Sequence, residues 1–282
     1  MTCNKRKWVH LIIGNKTVNL LENDRFEFLG VDKHEVNGIT ELSERKGMDG
    51  GIPTKSTFGP FELKLHFRYN GIDSIDLDLF CFELEQKIQR RDPYYVRHSK
   101  MPGLKYAVLG TPKVSPNNFA IRYSDIEIAF TVYKGYCESY LSTDEMSLSN
   151  QTDWQFVNNM IAFNESDNYH HRTKKFRIYN GSIDTIDPTL DHTLNITIHT
   201  NAPNGFKLRN RKTGDVFEYY GALLYTDTFM LKGVYPVVNG KRVGADTNNS
   251  WITLDEGFND FIVTGEGITD FDITFSFSFI YR

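Results

Sequence analysis

The last twelve residues carry the pattern that most limits the fold: Phe271, Ile273, Phe275, Phe277, Phe279 and Tyr281 alternate with Asp272, Thr274, Ser276 and Ser278. Successive side chains of a strand point to opposite faces, so a period of two gives one apolar face and one wet face. The same alternation appears at Phe61, Leu63, Leu65, Phe67 and Tyr69, and at Ile126, Ile128, Phe130 and Val132. It returns at Leu194, Ile196 and Ile198 within His192–Asn201. Aromatic residues are 14% of the chain, and aromatic and β-branched residues fit pleated, half-buried surfaces. The pattern predicts a mainly β protein.

Between two of these strands the period changes. Over Ile75–Arg90, Leu77, Phe80, Cys81, Leu84 and Ile88 recur at spacings of three and four, the signature of a helix with one apolar stripe that should lie on a sheet. Asp73 or Ser74 can cap its start, Lys87, Arg90 and Arg91 suit its C-terminal dipole, and Asp92-Pro93 stops it. Lys105–Leu109 reads as a shorter strand. Glycine and proline punctuate Arg45–Pro60, which reads as a loop or extended arm.

At roughly 150 residues per domain, 282 residues predict two domains. Residues 135–153 are polar and aperiodic, so the expected domains are 1–140 and 141–282 with a linker near 135–153. The second half reads as short strands separated by turns, including Lys207–Arg211 with Val216–Tyr220, Trp251–Leu254 and Phe261–Thr264. Asn239-Gly240 is its strongest two-residue hairpin signal. Such spacing suggests a sandwich.

Composition excludes several functions. Lys and Arg number 32 against 36 Asp and Glu, a net charge of −4, which argues against a nucleic-acid partner. No run approaches the roughly 18 apolar residues of a membrane helix. Lys5-Arg6-Lys7 ahead of Trp8–Ile13 resembles a signal peptide, but His10 interrupts the run and Gly14-Asn15-Lys16 ends it, so a first strand is expected. Cys3, Cys81 and Cys137 form no CxxC, which predicts neither a disulfide framework nor zinc, and a chain folded in a reducing cytoplasm.

The search for chemistry is negative. His170-His171 lies near Glu165 and Asp167, but neighbours on a strand diverge, so a polar loop before Phe176 is the expectation. There is no GxSxG, HExxH or P-loop pattern, and no catalytic residue, cofactor or metal is assigned. A carbohydrate-binding module is the alternative function, with Trp251, Tyr219, Tyr220, Tyr225 and Asn248 as candidate glycan contacts.

Three ordered segments resemble the distal tail proteins (Dit) of long-tailed phages, especially those of Gram-positive hosts. The first is Arg45 with Gly47-Met48-Asp49-Gly50, ahead of a strand and a helix, similar to that family's "R…GRDG" loop, with Met48 at the arginine position. The second is Phe176-Arg177-Ile178-Tyr179-Asn180-Gly181 with Pro188 downstream. The third runs from Trp251 through Gly257-Phe258-Asn259 and Gly265 to Tyr281-Arg282, similar to the family's C-terminal pattern. The resemblance implies two β-sandwich domains, an N-terminal one with one α-helix and an extended arm or hairpin, and a C-terminal one of galectin-like shape. It implies a structural role at the virion tail tip after synthesis in the host cytoplasm. The role would be a homo-hexamer ring joining the tail tube protein to the tip and holding the tail-associated (Tal) protein and receptor-binding proteins. Host glycan is the partner in the alternative reading.

Overall fold

The computed structural model describes residues 7–32, 35–47, 49–54, 56–116, 123–145 and 169–282. The chain divides into two compact units, the first ending at Cys137 and including Arg282, the second spanning Glu138–Tyr281. The segment expected as a linker, 135–153, lies outside the described residues from 146 onward.

The first unit is built on an antiparallel sheet. Its strand order is Lys16–Asn19, Val9–Ile13, Tyr94–His98, Leu104–Val108, Tyr123–Val132, Phe61–Asn70 and Phe26–Val31, with Lys113–Pro116 also paired to Tyr123–Val132. Phe61–Asn70 and Tyr123–Val132 pair along their whole length, from Phe61 opposite Val132 to Asn70 opposite Tyr123. The alternation sets which face is dry: Leu63, Leu65, Phe67, Ile128, Phe130 and Val132 are fully buried.

The helix runs Ser74–Ile88. Asp73 caps it, its carboxylate accepting from the Asp76 amide at 2.8 Å. Leu77, Leu84 and Ile88 are buried, and Phe80 stacks on Tyr69 with ring centroids 4.0 Å apart and lies 4.8 Å from Phe26. The expected stripe therefore does meet the sheet. The helix stops two residues short of Arg90 because Gln89 is already extended and the Arg90 amide donates to the Gly110 carbonyl at 2.6 Å. Only glycine allows that approach, since a Cβ on Gly110 would lie 2.4 Å from the Arg90 oxygen.

The expected arm is a narrow two-stranded ribbon. Gly38–Ile39 pairs with Thr57–Phe58, and Leu42–Glu44 pairs with Gly51–Pro53. Residues before Arg45 thus join the arm, because the ladder needs a second strand to satisfy its backbone. Arg45 is exposed near the tip, and Met48 lies outside the described residues. At the ribbon's base the Arg282 guanidinium sits 3.7 Å from the centre of the Phe58 ring.

The second unit contains two antiparallel sheets. One has the order His170–His171, Thr269–Phe277, Leu194–Asn201, Phe229–Lys232, Tyr235–Val238, Lys241–Arg242. The other has Lys175–Asn180, Gly257–Thr264, Phe206–Asn210, Val216–Tyr219. Aromatic rings join them as a sandwich: Phe261 and Phe176 of one sheet lie 5.0 and 5.9 Å from Phe275 of the other, and Phe206 lies 5.0 Å from Phe229. Asn239 (φ 50°) and Gly240 (φ 81°) form the expected tight turn between paired Val238 and Lys241. His170-His171 is a short strand and not a loop: it pairs with Ile273 and Thr274, and His170 Nε2 lies 2.8 Å from the Asp272 carboxylate.

Two expected strands differ. The C-terminal strand breaks at Ser278-Phe279, between Thr269–Phe277 and Ile280–Tyr281, because serine hydroxyls take over the ladder. Phe279 N donates to Ser139 Oγ at 3.0 Å and Ile280 N to Ser182 Oγ at 2.9 Å. Trp251–Leu254 is not a strand; only Leu254 makes a bridge, to Ile186. Its backbone is satisfied by asparagine side chains instead. Buried Asn180 donates to the Leu254 carbonyl at 2.9 Å, and buried Asn210 donates to the Thr253 carbonyl at 2.8 Å and to Asn259 Oδ1 at 3.0 Å. Asn259, fully buried, returns bonds to Asp255 and Gly257. Asn180 and Asn259 belong to two of the segments that carry the family resemblance, and here they staple one stretch of irregular backbone.

Candidate functional site

The largest feature that folding alone leaves unexplained is a second apolar stripe on the helix. Ile72, Ile75, Leu79 and Phe82 follow at spacings of three, four and three, and each is more than 60% exposed. Ile75, Leu79 and Phe82 share one face of the helix, away from the stripe buried on the sheet, and Ile72 sits just before the Asp73 cap. The reading of a single apolar stripe is corrected accordingly; the spacing was present in the sequence, but the stripe's exposure was not. The ridge begins at a fixed point. The Ile72 amide donates to Asp76 Oδ2 at 2.9 Å and the Tyr69 hydroxyl to the same oxygen at 3.0 Å. With Arg25 3.5 Å away, these donors hold the Asp76 carboxyl below the usual carboxylate range.

A second apolar surface lies on the arm, where Val36, Ile39, Leu42 and Ile52 are also exposed, Leu42 the most at 64%. Exposed apolar groups gathered in this way mark surfaces that another molecule covers. An open recess at the foot of the arm is lined by Asp32, Glu35 and Glu62 beside Lys64, giving that edge an acidic rim.

The candidate glycan contacts of the second unit separate. Tyr219 is buried, its ring 5.1 Å from Phe229 and 6.0 Å from Phe206, and burial together with Asp246 and Asp227 pushes its hydroxyl pKa up. It packs in the core and also lines the small recess beside Tyr220. Tyr220 is 58% exposed beside a small recess of about 210 Å³ shared with Asn204 and Lys207. Trp251 is 40% exposed and lines a different recess of about 690 Å³. Tyr235, which sequence reasoning missed, lines that larger recess and is 54% exposed. The period-two rule could have flagged it, since buried Pro236 follows it. Asn248 turns out structural: its side chain accepts from Glu218 N at 3.1 Å and donates to the Val216 carbonyl at 2.8 Å. Tyr225 is exposed on a turn whose amide is held by Asn201 Oδ1 at 2.8 Å. Among the described residues no cluster of His, Cys, Asp and Glu could hold a metal, and no helix is long and apolar enough to cross a membrane.

Residues 16–132 match the model of the phage tail protein RIFT-related domain. A comparison with curated protein sequences finds no match. Among solved structures, the chain is similar to the SPP1 Dit (gp 19.1) protein, described as a paradigm of the hub adsorption apparatus in phages that infect Gram-positive bacteria. The identity is 12%, the match covers 99% of this chain and 100% of that one, and the TM-score is 0.70. A chain of the phage p2 baseplate in its activated conformation aligns at 6% identity over 97% of this chain and 98% of its own, with a TM-score of 0.44. Residues 16–132 thus match a phage tail domain, and the whole chain is similar in fold to the SPP1 Dit protein.

Proposed function

We propose that the chain assembles through its first unit into a hexameric ring. The ring joins the tail tube to the tail tip of a virion built in the host cytoplasm, and anchors the tail-associated and receptor-binding proteins. The observation that carries this reading is the pair of exposed apolar surfaces on the first unit: the helix ridge Ile72, Ile75, Leu79, Phe82 and the arm around Leu42. A closed ring uses heterologous contacts, in which each subunit presents two different patches to its two neighbours. The ridge and the arm supply two such patches. Fully burying a large aliphatic or aromatic side chain contributes about 1.5–3 kcal/mol, so covering the ridge alone would offset much of the cost of association. The acidic rim at the foot of the arm adds a charged edge that can fix register.

Light scattering coupled to size exclusion tests the proposal. The full chain is expected at six protomer masses, and the Leu79→Asp, Phe82→Asp double variant as a monomer with an unchanged circular dichroism spectrum. A wild-type chain that stays monomeric at high concentration, or a double variant that still assembles, would overturn it.

A further inference from the structure

We propose that the recess between Tyr235 and Trp251 in the second unit is a binding site for a neutral saccharide. This inference is independent of the ring reading, because it concerns only residues of Glu138–Tyr281.

Two large rings face water in one concavity, Tyr235 at 54% and Trp251 at 40% exposure. Its volume, about 690 Å³, falls in the range of small-molecule sites, which run to about 300–1,000 Å³. The second unit buries other aromatics of similar size, such as Phe229, Phe275 and Phe277, completely. Packing therefore does not account for leaving these two outside.

The walls are held in place before any ligand arrives. On one side of Trp251, Asn248 is tied to the Val216–Tyr219 strand by the bonds to Glu218 and Val216. On its other side, the Thr253 amide donates to Asp215 Oδ2 at 2.8 Å. Tyr235 is fixed by its place in a strand and by the Arg242 guanidinium, 4.8 Å from its ring centre. The opposite wall is the short turn Pro188–Leu190, capped by Asp187, whose carboxylate accepts from the Thr189 amide at 2.9 Å. Rings mounted on pinned backbone bind with little ordering cost.

The polar groups decide the ligand class. Asp191 and Asn249, both lining the recess, are held at φ 62° and φ 53°, a left-handed conformation that fixes where their side chains leave the backbone. The Asn249 amide and the Ser250 and Thr189 hydroxyls add neutral donors and acceptors at the rim. A pyranose ring presents an apolar C–H face that an aromatic ring can cover, and a rim of hydroxyls that amides, hydroxyls and one carboxylate can bond. Among the described residues lining the recess, Asp191 alone is charged, which disfavours an anionic ligand.

Saturation-transfer NMR on the full chain, with neutral tetrasaccharides of glucose, galactose and N-acetylglucosamine as probes, tests the site. At least one probe is expected to show transfer, with at least tenfold weaker binding by Trp251→Ala and by Tyr235→Ala. Tyr220→Ala, in the other recess, should bind like wild type. Trp251→Phe should keep much of the binding and guards against a folding defect, with the thermal midpoint of every variant measured alongside. No transfer from any probe would overturn the proposal, as would undiminished binding by folded Trp251→Ala and Tyr235→Ala. Assembly mass should be unchanged in all of these variants, which separates this test from that of the ring.

Discussion

The two units expose apolar groups of different kinds. The first leaves aliphatic side chains and two phenylalanines in contiguous form, along the ridge from Ile72 to Phe82 and along the arm from Val36 to Phe58. The second exposes mainly single aromatics, Tyr220, Tyr225, Tyr235, Trp251 and Phe258, several of them beside recesses with polar rims. Aliphatic stripes gain from broad contact with another protein surface and have no polar handle to satisfy. Amphipathic rings set among amides and hydroxyls suit a small polar ligand. Under the two proposals, one chain divides assembly from recognition between its halves.

This contrast breaks most clearly at assembly. Charging the ridge by Leu79→Asp with Phe82→Asp should abolish the oligomer, while Trp251→Ala should leave its mass unchanged; a loss in both, read by light scattering, would erase the distinction. In the cores the units should behave alike. Phe67→Ala in the first and Phe275→Ala in the second, both fully buried, should each cost about 3–5 kcal/mol in denaturant unfolding. A smaller effect is expected from Asn259→Ala, which strands the Asp255 amide and the Asn210 side chain. About 1–3 kcal/mol should be lost, together with the proteolytic protection of residues near Trp251. The helix cap is worth less: Asp73→Ala should cost about 1 kcal/mol and leave the second unit's melting unaffected.

The smallest expected effect is on pH dependence. Burial works against the charged form of Asp144, but hydrogen bonds from Ser142 and from Ser276 Oγ, the latter at 2.6 Å, outweigh it and hold the carboxyl below its usual range. A carboxyl with a folded-state pKa below its unfolded value stabilises the fold above the unfolded pKa. That contribution is lost as pH falls through the folded one. Asp144→Asn should therefore flatten the acid-side decline of the second unit's thermal midpoint, and Asp76→Asn should do the same for the first.

Much of the fold was legible in the chain. Phe61–Asn70 and Thr269–Phe277 declare themselves by alternation, the helix by Leu77, Phe80, Leu84 and Ile88, and the hairpin by Asn239-Gly240. These signals are local, set by backbone sterics and by side-chain direction. The strand expected at Trp251–Leu254 failed for a non-local reason. Asn180, Asn210 and Asp215 arrive from other segments and satisfy the Thr253 and Leu254 backbone in an irregular path. The candidate glycan contacts divided on the same ground: Tyr219 and Tyr220 are neighbours in sequence, yet one is core and the other surface.

By itself, then, the amino-acid order determined most of the strands, where the helix begins, where the tightest turn lies, and that an apolar stripe runs along one helix. Only the tertiary structure showed that this stripe meets the sheet while Ile75, Leu79 and Phe82 meet water. It alone placed Tyr235 beside Trp251, and it alone turned the asparagines of the conspicuous segments into staples. The physical reason is range. Backbone propensity and periodicity act over a few residues, whereas burial depends on every neighbour that folding brings within contact.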